Sequence, residues 1–205
     1  MKTKSPDTLN RLDVVLASYN GNADTALAAI VSSDPKVRAS GLFALHSLNK
    51  LNHEMLSVAL SDPDSSVRRR ACELARSYPT LSLSIALEDS DPFVVEMALW
   101  SLGEREETSD LSRICEIASS HPEALVREAA VASLGAIGDR NGLETVLAAL
   151  SDRPNVRRRA AVALAAFEGE EVTRALQAAA KDRDWQTRQI AEDLLEITEG
   201  SEVQA

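Results

Sequence analysis

A block of about thirty residues recurs six times along the chain, and no other feature constrains the fold as strongly. Its copies read DPKVRASGLFAL from Asp34, DSSVRRRACELA from Asp64 and DPFVVEMALWSL from Asp91. They continue as EALVREAAVASL from Glu123, RPNVRRRAAVAL from Arg153 and DWQTRQIAEDLL from Asp184. Aligned on Val37, Val67, Val94, Val126, Val156 and Thr187, the spacings are 30, 27, 32, 30 and 31. Four places after each anchor stands a small residue: Gly41, Ala71, Ala98, Ala130, Ala160 and Ala191. Eight places after stands an apolar one: Leu45, Ala75, Leu102, Leu134, Leu164 and Leu195. A period of four puts these residues on one stripe of a helix, not on one face of a strand.

The boundaries agree with that period. Asp34-Pro35 and Asp91-Pro92 place a capping acceptor at the N-cap and proline at the first helical position, where its missing N–H costs nothing. Asp62-Pro63, His121-Pro122 and Pro154 mark the remaining turns. Shorter apolar helices are expected between the repeats, over 24–31, 52–60, 81–87, 110–118, 143–150 and 171–179, with an opening helix over 8–19. Each unit is then a helical hairpin, helix A followed by helix B. One hairpin cannot bury its stripe alone, so neighbours must stack into a solenoid. The expected fold is all-α, with a helical cap over 6–20 and six hairpins over 21–198 in a single array. A flexible acidic tail is expected over 199–205.

On these residues the chain resembles the short HEAT-repeat proteins whose ~30-residue unit also occurs in phycobilisome-lyase-like proteins. The resemblance spans roughly residues 20–197 and implies a right-handed α-solenoid with the B helices on its concave face. It does not choose a function, since such repeats serve as scaffolds, lyase subunits and a few metalloenzymes.

Two polar positions recur with the anchor. Three places before it the residue is acidic in Asp34, Asp64, Asp91, Glu123 and Asp184; one place after it is arginine in Arg38, Arg68, Arg127, Arg157 and Arg188. An acid four residues before a base is the favourable helical order, worth ~0.2–0.5 kcal/mol. These residues therefore read as a structural ladder between turns. Val95 and Arg153 are its exceptions. On the outward side of helix B the period exposes Ser40, Phe43, Arg70, Glu73, Met97, Trp100, Ala129, Ala132, Arg159, Val162, Ile190 and Asp193. Of these, Arg70, Glu73, Met97, Trp100 and Arg159, together with Arg69 and Arg158 from the arginine triplets, form the expected partner-binding surface. Arginine and tryptophan dominate interface hot spots. The competing expectation for Trp100 is that it packs into a groove between helices.

Chemistry-bearing residues are sparse. His53-Glu54 is the one His-Glu dipeptide, too little for the several converging pairs that the di-iron hydroxylases resembling this repeat use. His46 and His121 read as helix-end and turn residues, and Cys72 and Cys115 as small core hydrophobes. No Cys-x-x-Cys, phosphate loop or nucleophile elbow occurs. No catalytic residue, metal or cofactor is therefore expected.

Charge then narrows the partners. Lys and Arg number 22 against 32 Asp and Glu, net −10, with a sequence pI near 4.8. That balance disfavours a protein living on phosphate backbones. No apolar run reaches membrane-spanning length and no secretory leader is apparent, so a cytoplasmic protein is expected. The reading that results is a non-catalytic scaffold for a protein partner. Two alternatives stand beside it: a bilin lyase or isomerase subunit, implied by the resemblance, and a DNA-binding repair protein using the arginine triplets.

Overall fold

The computed structural model describes residues 5–202, with side chains described through Ile197. Those residues form 13 α-helices, three short 3-10 turns and no strand. After α1 (Arg11–Tyr19) the helices come in pairs: α2 (Ala23–Ala29) with α3 (Pro35–Ser47), α4 (His53–Ala59) with α5 (Ser65–Ala75), and α6 (Ser84–Leu87) with α7 (Pro92–Glu104). Then follow α8 (Leu111–Ser120) with α9 (Ala124–Ile137), α10 (Leu143–Ala149) with α11 (Pro154–Ala163), and α12 (Glu170–Ala179) with α13 (Trp185–Glu202). The architecture is all-helical and of the α-solenoid type, one opening helix and six hairpins.

The chain divides into two compact units, Met1–Ser101 and Leu102–Ala205. In the first, α3 packs on α1, α2 and α5. In the second, α9 packs on α8, α10 and α11, and α13 on α11 and α12. The repeat register explains both cores. All six anchors, from Val37 to Thr187, are buried, as is every small residue four places on. Eight places on, Leu45, Ala75, Leu102, Leu134 and Leu164 are buried, and only Leu195 is half-exposed. Each fully buried Leu or Val contributes about 1.5–3 kcal/mol relative to exposure.

The small residues are required by close approach. A Cβ on Gly41 would stand 2.9 Å from Ala29 Cβ and 2.9 Å from Ile30 Cγ2, and one on Gly135 would stand 2.7 Å from Ala163 Cβ. Helix α9 then stops at Gly138, whose φ of 65° makes it a left-handed cap.

The helix ends correct the sequence expectation in three places. Helix α1 starts at Arg11 rather than residue 8, because Asn10 and Asp13 form a reciprocal capping box. Residues Pro6–Thr8 make a separate 3-10 turn. Helix α6 is only four residues long and begins at Ser84 rather than residue 81. Helix α13 runs to Glu202, so the first residues of the expected tail, 199–202, continue a helix, and 203–205 lie outside the described residues.

Helix α1 is also not a polar cap. It buries Val14 and Ala17 against its unit, but Leu12, Val15, Leu16 and Tyr19 on its other side are exposed. Among the described residues no helix is long and apolar enough to cross a membrane.

Candidate functional site

The polar residues of the inter-helix turns form two ladders, and their rungs join different residues from those expected. Asp34 does not pair with Arg38; it caps α3 by accepting the Lys36 N–H at 2.8 Å. Arg38 reaches instead to Asp62 in the following turn, Nε to Oδ2 at 2.8 Å and Nη2 to Oδ1 at 2.7 Å. Arg68 pairs in the same way with Asp89, Arg127 with Asp152, and Arg157 with Asp182. Each arginine also gives Nη1 to one or two carbonyls of its own turn, as Arg38 does to Ser32 at 2.9 Å and Ser33 at 3.1 Å and Arg157 to Asp152 at 2.8 Å. One guanidinium thus ties two successive turns, the planar fork that lysine cannot supply.

The acid of each rung is doubly used. Asp62, Asp89 and Asp182 accept the N–H of the capping residue two places on through the same Oδ1 that meets the arginine. The guanidinium hydrogen bonds hold the Asp89, Asp152 and Asp182 carboxyls below their ordinary range, and the partners Arg68 and Arg127 above theirs. Asp64 is also lowered, chiefly by the Ser66 hydroxyl, and Asp184 by the Thr187 N–H; both are helix caps.

The ladders span Arg38 to Asp89 in the first unit and Arg127 to Asp182 in the second. At the position of the missing arginine stands Val95, buried. At the corresponding acid position stands His121, whose Nδ1 takes the Glu123 N–H at 3.1 Å and so keeps the capping half of the aspartate's work. Arg153, the other exception, is the N-cap of α11, and Asp152 just before it carries the rung. Arg188 holds the Asp182 and Arg183 carbonyls and has no carboxylate rung among the described residues.

The outward side of the B helices lies where the period puts it, since none of its twelve residues is buried. In the first unit it carries apolar rings under cations. Trp100 is 37% exposed, and the Arg76 guanidinium sits 5.4 Å from its ring centroid. Phe43 is exposed beneath Arg70, at 5.6 Å, and Arg70 also pairs with Glu73 at 2.6 Å. Met97 is half-buried. Trp100 is therefore not sealed into a groove between helices. Sequence reasoning missed Arg76, because it lies at the end of α5, beyond the repeated block.

The expected arginines separate into two kinds. Arg158 is bound within the second unit, to Gln186 and, at 3.5 Å, to Asp184; Arg159 lies 3.6 Å from Glu128. Arg69 in the first unit is exposed and makes no side-chain hydrogen bond or ion pair among the described residues.

Two of the histidines meet hydroxyl groups. His53 Nε2 is 3.1 Å from the Thr80 hydroxyl, and His46 Nδ1 is 3.4 Å from the Tyr78 hydroxyl. Cys72 is buried, but Cys115 is half-exposed rather than core. Among the described residues no three His, Cys, Asp or Glu side chains stand together as metal ligands.

Comparison with known proteins finds likeness in the repeat and in the fold. Residues 111–196 match the family model of HEAT repeats. A search of curated proteins returned no significant match. Among solved structures, human deoxyhypusine hydroxylase in complex with glycerol is similar, with a TM-score of 0.50 and 21% identity over 95% of this chain and 82% of that one. At that identity the likeness is one of fold. A designed armadillo repeat protein gives a TM-score of 0.44 at 12% identity, over 93% of this chain and 87% of that one. A protein described only as engineered gives 0.44 at 15%, over 92% and 83%.

Proposed function

We propose that this protein is a helical-repeat scaffold that binds a protein partner through the outward side of its B helices. The observation that carries the reading is Trp100, more than a third exposed on a rigid helix and held under Arg76. A large ring fixed by a cation and left open to solvent fits a hot spot, because its rotamer freedom is already spent before binding. Phe43 under Arg70 repeats the arrangement two repeats earlier. The first unit's ladder supports the reading by tying its three hairpins together through Arg38–Asp62 and Arg68–Asp89, so that Phe43 and Trp100 sit on a braced frame.

The test uses the purified protein as immobilised bait in native lysate, with bound proteins identified by mass spectrometry. Trp100→Ala should lose a specific partner that Val58→Ala retains, since Val58 is exposed on the A helix α4. The expected loss is ~2 kcal/mol or more in binding. Equal capture by both variants would remove the B-helix side as the binding surface.

A further inference from the structure

The first unit holds a basic groove that the strip of rings does not explain. It is an open depression of about 500 Å³ between α1, α3, α5 and the start of α7. Four cations from three helices line it: Arg11, Lys36, Arg69 and Arg70. Only Glu73 and Asp91 oppose them. Glu73 is occupied by Arg70, and Asp91 is spent on capping α7 through the Phe93 N–H at 2.9 Å.

Arg11, Lys36 and Arg69 make no side-chain hydrogen bond or ion pair among the described residues. This is unusual in a chain of net charge −10, in which ladder arginines are forked onto carboxylates. Like charges gathered in one depression repel, so an anionic occupant would gain from all three at once. Phe93 on the wall is 52% exposed. Cations around an exposed ring suit a ligand that alternates carboxylates with an apolar side chain.

We propose that this groove receives an acidic peptide segment of a protein partner, its Asp and Glu carboxylates on Arg11, Lys36 and Arg69 and an apolar residue against Phe93. This names the partner chemistry for the B-helix side and rests on the reading of that side as a binding surface. A peptide is favoured over nucleic acid because the net charge of −10 repels a long polyanion, whereas a short segment meets only the local cations.

The probe is a fluorescein-labelled peptide of sequence Asp-Glu-Asp-Leu-Glu-Asp-Glu, titrated with the full chain and read by anisotropy. Comparison probes are its Asn/Gln counterpart, the same peptide with Leu replaced by Ser, and a labelled 20-base-pair duplex. The acidic peptide should bind and the Asn/Gln peptide should not. The Ser peptide should bind more weakly, and binding should weaken as salt rises. Lys36→Glu with Arg69→Glu should weaken it about tenfold or more. The control double variant Lys181→Glu with Arg183→Glu, of equal charge change on exposed side chains of the second unit, should leave it unchanged. Circular dichroism checks that each variant folds, and the milder Arg69→Gln should give an intermediate loss. Equal weakening by the control pair would reduce the effect to net charge and overturn the groove. Tighter binding of the duplex would overturn the peptide assignment. No binding of the acidic peptide, while Trp100→Ala still loses its partner from lysate, would overturn this inference and leave the binding surface standing. Loss of neither would overturn both.

Discussion

Arg68 spans two turns of the chain, its Nε and Nη2 on the Asp89 carboxylate at 2.6 and 2.9 Å and its Nη1 on the Asp62 carbonyl at 2.8 Å. The Asp89 side chain is only 7% exposed and that of Arg68 16%, so little solvent screens the pair. The rung is a joint between successive hairpins. Its removal leaves a carboxylate and backbone carbonyls without their donor, and that orphaning, more than the lost attraction, sets the cost.

Arg68→Ala should therefore lower stability by about 2–4 kcal/mol. Arg188→Ala, which frees carbonyls but no rung carboxylate, should cost about 1 kcal/mol. Urea denaturation of both variants beside the parent checks the difference. Equal costs would show that the carbonyl contacts, not the rungs, hold the turns.

The same carboxylates set the response to acid. Asp89, Asp152 and Asp182 have folded pKa values below their unfolded ones, so their contribution is full above the unfolded value of about 3.9 and is lost as pH falls through the folded values. Asp110 acts in the opposite sense: burial raises its pKa, so its contribution is lost as pH rises through the raised value. The lowered carboxylates, to which the caps Asp64 and Asp184 also belong, outnumber Asp110. The melting temperature should hold steady down to about pH 5 and fall steeply below about pH 4. Asp89→Asn should flatten part of that fall while lowering stability at neutral pH.

Gly135→Ala sets two effects against each other. Alanine in a helix gains about 1 kcal/mol over glycine. The added Cβ would stand 2.7 Å from Ala163 Cβ and 2.9 Å from its Cα, and overpacking of this kind costs about 1–3 kcal/mol. Backbone atoms cannot swing aside, so the clash should win and the melting temperature should drop. A rise would mean that α9 and α11 separate more easily than their contact implies.

Ala160→Leu tests the register from the other direction. Ala160 is fully buried four places after its anchor, so the larger side chain should cost about 1–3 kcal/mol. Thermal melts of Ala160→Leu and of Val162→Leu, at an exposed site on the same helix, should separate clearly.

Arg76→Gln should remove the cation over Trp100 and cost only about 0.5–1 kcal/mol, since the site is exposed. In a Trp185→Phe background the emission should move as the ring loses its partner. An unchanged spectrum would detach Arg76 from the ring and leave Trp100 without the feature that fixes it.

The hairpins and their inward stripes follow from the sequence's local periodicity. Anchor, small and apolar residues four apart can only meet on one side of a helix, and burial of Val37, Ala71, Leu102 and their equivalents follows from local periodicity. The sequence also marks the caps Asp34 and Asp91, each of which accepts the N–H two residues on. The tertiary structure decided where the arginines go. Asp34 lies in easy sequence reach of Arg38, yet its oxygen is taken by the helix end, and the guanidinium turns to Asp62, 24 residues on. Likewise only folding brings Arg76 over Trp100, and Arg11 to the same groove as Arg69. Helical period governs which side a residue occupies; which residues meet across turns depends on the distance between stacked hairpins, which no local period encodes.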